Sequence, residues 1–520
     1  MKIKLAVILF LSLNCFLLAQ SAPYDYHLSA DKNSFSKTNY SAPTSNTTYD
    51  IIAIGDTIWL GTSRGVSLSI DRGVTWKNFY QTSPFGEDNI SAIAYNNGVV
   101  WVATATSQDD NGTSIPVGTG LKYTTNNGDS WSSISQPIDD DNATTEQYGI
   151  NTLNALPITV PQQNLIYDMA FTPGTIWITS WAGGLRKSTD YGNTWKRVVL
   201  PPDYLDSISP TDTLNFCLSP SAGSFCDEAY LNHVAFSVIA VDETTLYVGT
   251  ADGINKSTDS GISWVKFNHQ NQSEPISGNF ITSLGYNFTT NTVWASTWKA
   301  DELDESYGVS SSSDGGETWQ TFLIGEKAHN FGFKGFDVIA ATDNGAYRTS
   351  NQGNSWILPT SIVDADSDPT SNLVLHTDVF YSAGSEGNTV WLGSNDGLVK
   401  LDETSLWNGK WKIYLASQKL KSVSETHAYP NPFSPRQEQL KIKYSTEGKD
   451  ASVTIRIFNF GMNYVRTVIQ NVTRNRDVDG PPEFWDGKDD AGNIVPNGVY
   501  IYRVDIDSND PLFGKIIVMQ

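Results

Sequence analysis

Apolar and polar positions alternate in short runs along most of this chain, as in TIWLGTSRGVSL, TIWITSWAGGL and TLYVGTADGI. Alternation with a period of two predicts half-buried β-strands. After each run comes a turn phrase, S/T-x-D/N-x-G-x-S/T-W, closing at Trp76, Trp131, Trp195, Trp264, Trp319 and Trp356. A further run, TVWLGSNDGLVKLDETSLWNGKW, ends at Trp411 with its turn phrase degraded. A short-strand unit repeated at this spacing predicts a β-propeller or a β-solenoid.

The phrase has the chemistry of a hairpin turn. Its Gly supplies positive φ, and its Asp or Asn and Ser or Thr side chains bond the amides of the turn. The closing Trp is large enough to pin the turn to the sheet beside it. The phrase resembles the Asp-box (BNR) repeat of sialidase-like propellers, over roughly residues 45–415. That resemblance implies fold and little about function, with Asp71, Asn126, Asp190, Asp259, Asp314 and Asn351 as turn formers. The expected fold class is all-β: a seven-bladed propeller over residues 46–416, then a small immunoglobulin-like sandwich.

Each blade divides into strands A (innermost) to D. Strand A is expected near Tyr49, Asn89, Tyr167, His233, Asn279, His329 and His376. The A-to-B and C-to-D turns are short and uniform. The connections on the opposite, top face are long and dissimilar: residues 106–117, 134–163, 200–231, 299–308 and 358–375. Long irregular loops on a compact scaffold are usually functional, so the top face is the expected binding face. Trp181 and Trp298 follow strand B there and belong to no turn phrase; they are candidate anchors, or packing beneath the loops. Around the channel mouth come Asp50, Asn89, Asp168, His233, Asn279, His329, His376 and Asp378, a polar ring for a ligand or for trapped water.

The net charge of −22 argues against nucleic acid and anionic membrane surfaces as partners. Residues 1–21 read as a signal peptide: Lys2 and Lys4, an apolar core, and a small-residue exit near Ala19 or Ser21. No later stretch is long and apolar enough to span a bilayer. Cys217 and Cys226 then remain, and in an oxidising compartment a local disulfide is the expected state. Residues 22–45 form an N-terminal extension that can add an edge strand to the ring.

After a linker at 417–426, residues 427–520 read as short strands with Gly, Asn and Pro turns, a β-sandwich. HAYPNPFSP (Tyr429 to Phe433), FWDGKDDAGN (Trp485, Asp486, Gly487, Gly492), Gly498, Tyr500, Tyr502 and Gly514-Lys515 carry a second resemblance. They resemble the FlgD-like C-terminal domain that serves as the sorting signal of type IX secretion. That resemblance implies the type IX secretion machinery as a partner and a secreted or cell-surface location.

Enzyme signatures are sparse. A sialidase needs an Arg triad at the starts of inner strands and an R-I-P segment. The propeller has only Arg64, Arg72, Arg186, Arg197 and Arg348, none so placed. G-x-S-x-G and H-E-x-x-H are absent, and the six His are scattered. Acidic runs occur at Asp139–Asp141, 301–305 and Asp364/Asp366/Asp368; the last resembles a calcium loop. Pro369 replaces the turn Gly and Leu375 the closing Glu, so a solvated loop is expected, with Ca2+ as the alternative and otherwise no cofactor. The expected function is binding of a glycan or protein ligand at the top face by a monomer. The alternatives are a carbohydrate-active enzyme other than a sialidase, or an assembly-type scaffold.

Overall fold

The computed structural model describes residues 42–520 except 111, 301–303, 366–372, 376, 417–419, 421, 437–438, 479 and 481. Residues 1–21, expected to be a signal peptide, therefore lie outside the described residues, as do His376, Asp366, Asp368 and most of the expected N-terminal extension. Among the described residues the fold is β throughout, with one 3-10 turn at Leu231–His233. Seven sheets are antiparallel meanders with strands bonded in chain order, except that Ser207–Ile208 adds an outer edge to the fourth. Their innermost strands are Thr48–Ile54, Asn89–Asn96, Ile166–Thr172, Ala235–Ala240, Phe280–Asn287, Ala328–Lys334 and Phe380–Glu386. Each of these lies beside the next, and the last lies beside the first, so the sheets close a ring.

The turn phrases fold as hairpin ends. In the first, Ser69 Oγ donates to Asp71 Oδ1 at 2.7 Å, and the Gly73 amide donates to Ser69 Oγ at 2.8 Å. Thr75 then donates to Asp71 through its amide and its hydroxyl, at 2.8 and 2.6 Å. Arg72 and Gly73 both have positive φ, 57° and 86°, which explains why Gly stands at this place in every copy. A Cβ on Gly73 would also meet Trp391 at 2.6 Å.

That contact repeats around the ring. The third residue of the strand-B motif is Trp59, Trp101, Trp177, Tyr247, Trp294 or Trp391, all nearly solvent-free. Each covers the turn phrase of the following blade: Trp59 meets Trp131 at 5.9 Å, Trp294 meets Trp356 at 6.0 Å, and Trp391 meets Trp76 at 6.3 Å. Blade 6 has Ile339 at this position, and the blade it faces is the one whose turn phrase is degraded. An ion-pair cluster stands there instead. Arg348 binds Glu403 at 2.6 Å and Asp337 at 2.6 Å, and Trp407 lies against its guanidinium. Where no turn phrase needs covering, no covering Trp is present.

Two of the long top-face connections form a lobe. Thr145–Tyr148, Asn151–Ala155 and Cys217–Leu218 make a three-stranded sheet packed on the third and fourth blades. Asp139 is buried between two arginines: Arg186 grips it with two bonds at 2.6 and 2.9 Å, and Arg197 adds two at 2.7 and 3.2 Å. Cys217 and Cys226 are joined in this lobe, with Cα atoms 5.8 Å apart. Residues 106–117 are no irregular loop either, because Val99–Asp110 and Thr113–Thr124 stay paired to the hairpin tip. Residues 42–47 join no sheet, and blade 7 is built wholly from residues 380–414.

Residues 427–518 form two further sheets, of three and four strands, around a separate core that includes Phe433, Ile442, Val453, Ile455, Trp485 and Tyr502.

Candidate functional site

Every innermost strand carries the same irregularity. Its pairing with strand B skips one residue near the start: Tyr49, Ser91, Tyr167, Phe236, Thr282, His329 and Tyr381 in turn. A β-bulge leaves the extra residue unpaired and re-aims its neighbours. Here it produces two stacked rows around the axis of the ring.

Five of the seven skipped residues are aromatic, counting His329, and at blade 5, where the skipped residue is Thr282, Phe280 and Trp298 stand in. Tyr167 meets Phe236 at 5.5 Å, and Phe236 meets Phe280 at 4.7 Å. Phe280 is paired with Trp298, which meets His329 at 5.7 Å. His329 meets Tyr381 at 5.2 Å, and Tyr381 meets Tyr49 at 5.6 Å. This collar runs from blade 3 through blade 7 to blade 1. At blade 2 no ring stands in: the skipped residue is Ser91, whose buried hydroxyl has no partner.

The residues after the bulges form the second row: Asp50, Ala92, Asp168, Ser237, Ser283, Asn330 and Ser382. Ser237 Oγ donates to Asp168 Oδ2 at 2.6 Å and accepts the Leu284 amide at 3.0 Å. Ser283 Oγ donates to Asn330 Oδ1 at 3.4 Å, and Asn330 Nδ2 donates to Asp50 Oδ1 at 3.3 Å. At blade 7 Ser382 donates instead to the Thr48 carbonyl at 3.2 Å, and at blade 2 the row carries no polar side chain, the residue there being Ala92. Ser91 and Ala92 fall in one sector, flanked by Tyr49 and Asp50 on one side and by Tyr167 and Asp168 on the other.

The flanking carboxyls are not ordinary aspartates. Burial pushes Asp50 up to about 7, with the charge of Asp168 adding to the rise against bonds from Ile51 and Asn330. Burial lifts Asp168 to about 6, against bonds from Ser237, Val238 and Met169. Two neighbouring acids that resist ionisation in an enclosed site can hold a proton, share one, or take a polar ligand's hydroxyls.

The other predicted residues have different surroundings. Trp298 is a packed side chain at 8% exposure: its indole N–H donates to the Ala328 carbonyl at 2.9 Å, and Tyr307 lies edge-on to it. It supports the collar from behind rather than standing exposed. His329 is a collar member and bonds Asp343 at 2.7 Å. His233 stands apart from the collar: burial, with Arg197 and Arg186 nearby, lowers it to about 4, so it is neutral near pH 7. Trp181 is half-buried in the B-to-C turn of blade 3, and Asp378 is exposed. Asn279, expected at the mouth, is buried and bonded to His269 and Gln270. Asp364 is buried and accepts the Ile413 amide at 2.8 Å, which ties it to blade 7. Among the described residues no group of three or more His, Cys, Asp or Glu could hold a metal ion.

Sequence reading missed the collar and the belt because a bulge is invisible to periodicity. A signal was present: Tyr49-Asp50, Tyr167-Asp168, Phe236-Ser237, His329-Asn330 and Tyr381-Ser382 repeat one aromatic-polar pair at the start of strand A.

Among solved structures the chain is similar to a GH74 xyloglucanase from Xanthomonas campestris. The identity is 11%, over 92% of this chain and 68% of that one, with a TM-score of 0.51. It is similar to an ancestral GH74 enzyme at 14% identity, over 91% of this chain and 60% of that one, with a TM-score of 0.50. The protein is a β-propeller. PorZ, a surface component of the type IX secretion system of Porphyromonas gingivalis, is a further structural neighbour. It shares 13% identity over 90% of this chain and 65% of PorZ, with a TM-score of 0.41. No protein family and no curated protein matches the chain by sequence. Likeness at these identities speaks to fold alone. Among the described residues no helix is long and apolar enough to cross a membrane.

Proposed function

We propose that the protein is a secreted or cell-surface propeller that binds a glycan at the blade 2 sector of its inner ring. The observation carrying this reading is that at blade 2 both rows carry small side chains, Ser91 and Ala92, with no ring standing in. Tyr49 and Tyr167 are the flanking rings there, and Asp50 and Asp168 the flanking acceptors. Aromatic faces beside hydroxyl-binding carboxyls match the apolar faces and polar rims of sugar rings. The export reading rests on residues 427–520: the motifs around Tyr429 to Phe433 and Trp485 to Gly492 resemble a type IX sorting domain, and those residues form a sandwich with a separate core. The repeated turns are read as Asp-boxes, with a folding role.

A glycan array on the purified propeller tests the binding reading, with Ser91→Trp as control. Filling the sector should abolish any signal; a signal that survives Ser91→Trp places the ligand elsewhere.

The raised carboxyls favour a second reading, a glycosidase in which Asp50 and Asp168 serve as acid and base. Their separation would then set whether the anomeric configuration is kept or inverted. Hydrolysis of a bound oligosaccharide, lost in Asp168→Asn, would select that reading.

A further inference from the structure

The C-terminal sandwich is not simply tethered to the propeller. Lys441, on the strand Leu440–Lys443, reaches Asp396 of blade 7 with its ammonium at 2.6 Å. The two side chains are 2% and 11% exposed. A charge pair so enclosed is sensitive to the position of both partners, because either charge left alone is costly to bury.

Asp396 lies in the B-to-C turn of blade 7, and the contacts of that turn reach the far end of the ring. The Asp396 amide donates to Ser394 Oγ at 3.1 Å, and Ser394 Oγ donates to the Gly397 carbonyl at 2.7 Å. The Gly397 amide donates in turn to the carbonyl of Asn46, just before the first blade, at 2.9 Å. Asn46 Oδ1 accepts the amide of Ala416, where the chain leaves the propeller, at 2.6 Å. Four residues later Leu420 is buried, and its amide donates to the Val478 carbonyl of the sandwich at 3.1 Å. Entry to the ring, its closing blade, its exit and the sandwich thus meet at one place.

We infer that the Lys441–Asp396 pair is a latch that seats the sandwich on the propeller only when the ring is closed. An unclosed ring leaves residue 46 away from blade 7. The turn carrying Asp396 then loses its brace, Ala416 loses its acceptor, and Lys441 has no fixed partner. The sandwich reports, through its docking, that the first and last blades have met.

Limited trypsin digestion of the full chain, scored as cleavage between Ala416 and His427, tests this. Lys441→Met should speed that cut by more than about tenfold, since it strands the Asp396 charge. Adding Asp396→Asn to the same chain should restore most of the protection. Asn46→Ala should open the same cut while the sandwich core remains folded. Wild-type cleavage rates in Lys441→Met would overturn the latch. If only Asn46→Ala cleaves at the wild-type rate, the part of the coupling carried by the Asn46–Ala416 bond is overturned. Because Lys441 lies outside the propeller, loss of propeller folding in Asp396→Asn alone would leave the Lys441→Met result decisive.

Discussion

Asn330 of the sixth blade donates a hydrogen bond to Asp50 of the first at 3.3 Å, although the seventh blade stands between their sheets. A bond that skips a blade must cross the inner face of the ring. It places Asp50 on the axis, among groups from several blades, rather than at the end of its own strand. The same geometry accounts for the influence of the Asp168 charge on Asp50, whose sheets are separated by blade 2.

The pH dependence follows from Asp50 and has a definite sign. Its carboxyl titrates near 3.8 when unperturbed and near 7 in the fold. The folded chain therefore binds more protons between those values. The resulting stability is full below the lower value and is lost as pH rises through the upper one. Asp168, raised to about 6, acts in the same direction. Asp50→Asn should melt roughly 1–3 °C above the wild type at pH 8, with the gap closing towards pH 4. Thermal unfolding at both pH values checks this, and a gap that does not change with pH would contradict the burial account.

Trp298 and Tyr49 should separate packing from recognition. Trp298→Ala removes a buried ring whose N–H has a partner, and should lower stability by about 3–5 kcal/mol. Tyr49→Ala should weaken ligand binding by about 1–3 kcal/mol with little change in melting. Denaturant titration and ligand titration of the two variants, run in parallel, should give opposite patterns.

At the degenerate seventh turn, Glu403→Ala leaves Arg348 buried with only Asp337 as partner. The expected loss is about 3–5 kcal/mol, the usual cost of breaking a buried ion pair from one side. A loss below about 1 kcal/mol would mean that water enters the cluster, and that the substitution of charge for Trp at this blade is not structural.

The local bridge between Cys217 and Cys226 closes a short loop, so chain entropy gives it roughly 2–3 kcal/mol at most. Intact-mass measurement of exported protein without reductant should show both thiols consumed. Two free thiols would refute the bridge.

The ring was legible in the sequence because its unit is redundant. The turn phrases and strand-B Trp positions repeat, and the same count places the start of an innermost strand at Asn89 and, one residue early, at Asn279, but four residues early at His376. The candidate site was legible only in part. Asp50 and Asp168 stand out as strand-start acids, but the bulge beside each is set by backbone pairing, which no periodicity records. The lobe that encloses Asp139 escaped for another reason: its contacts join residues such as Asp139, Arg186 and Arg197 that are distant in sequence and share no pattern.

Removal of residues 427–520 tests the export reading. The truncated chain should fold as a propeller, since the sandwich has a separate core, and should remain in the periplasm of a type IX-competent host. Its arrival in the medium would exclude a sorting role for those residues.

The most direct measurement for the central claim is a calorimetric titration of the best array glycan into wild type, Tyr49→Ala/Tyr167→Ala and Ser91→Trp, with melting curves for each. The blade 2 account predicts saturable binding to wild type. It predicts a loss of at least about tenfold in the double variant, no binding to Ser91→Trp, and a cooperative unfolding transition retained in all three. Undiminished binding to Ser91→Trp would contradict it.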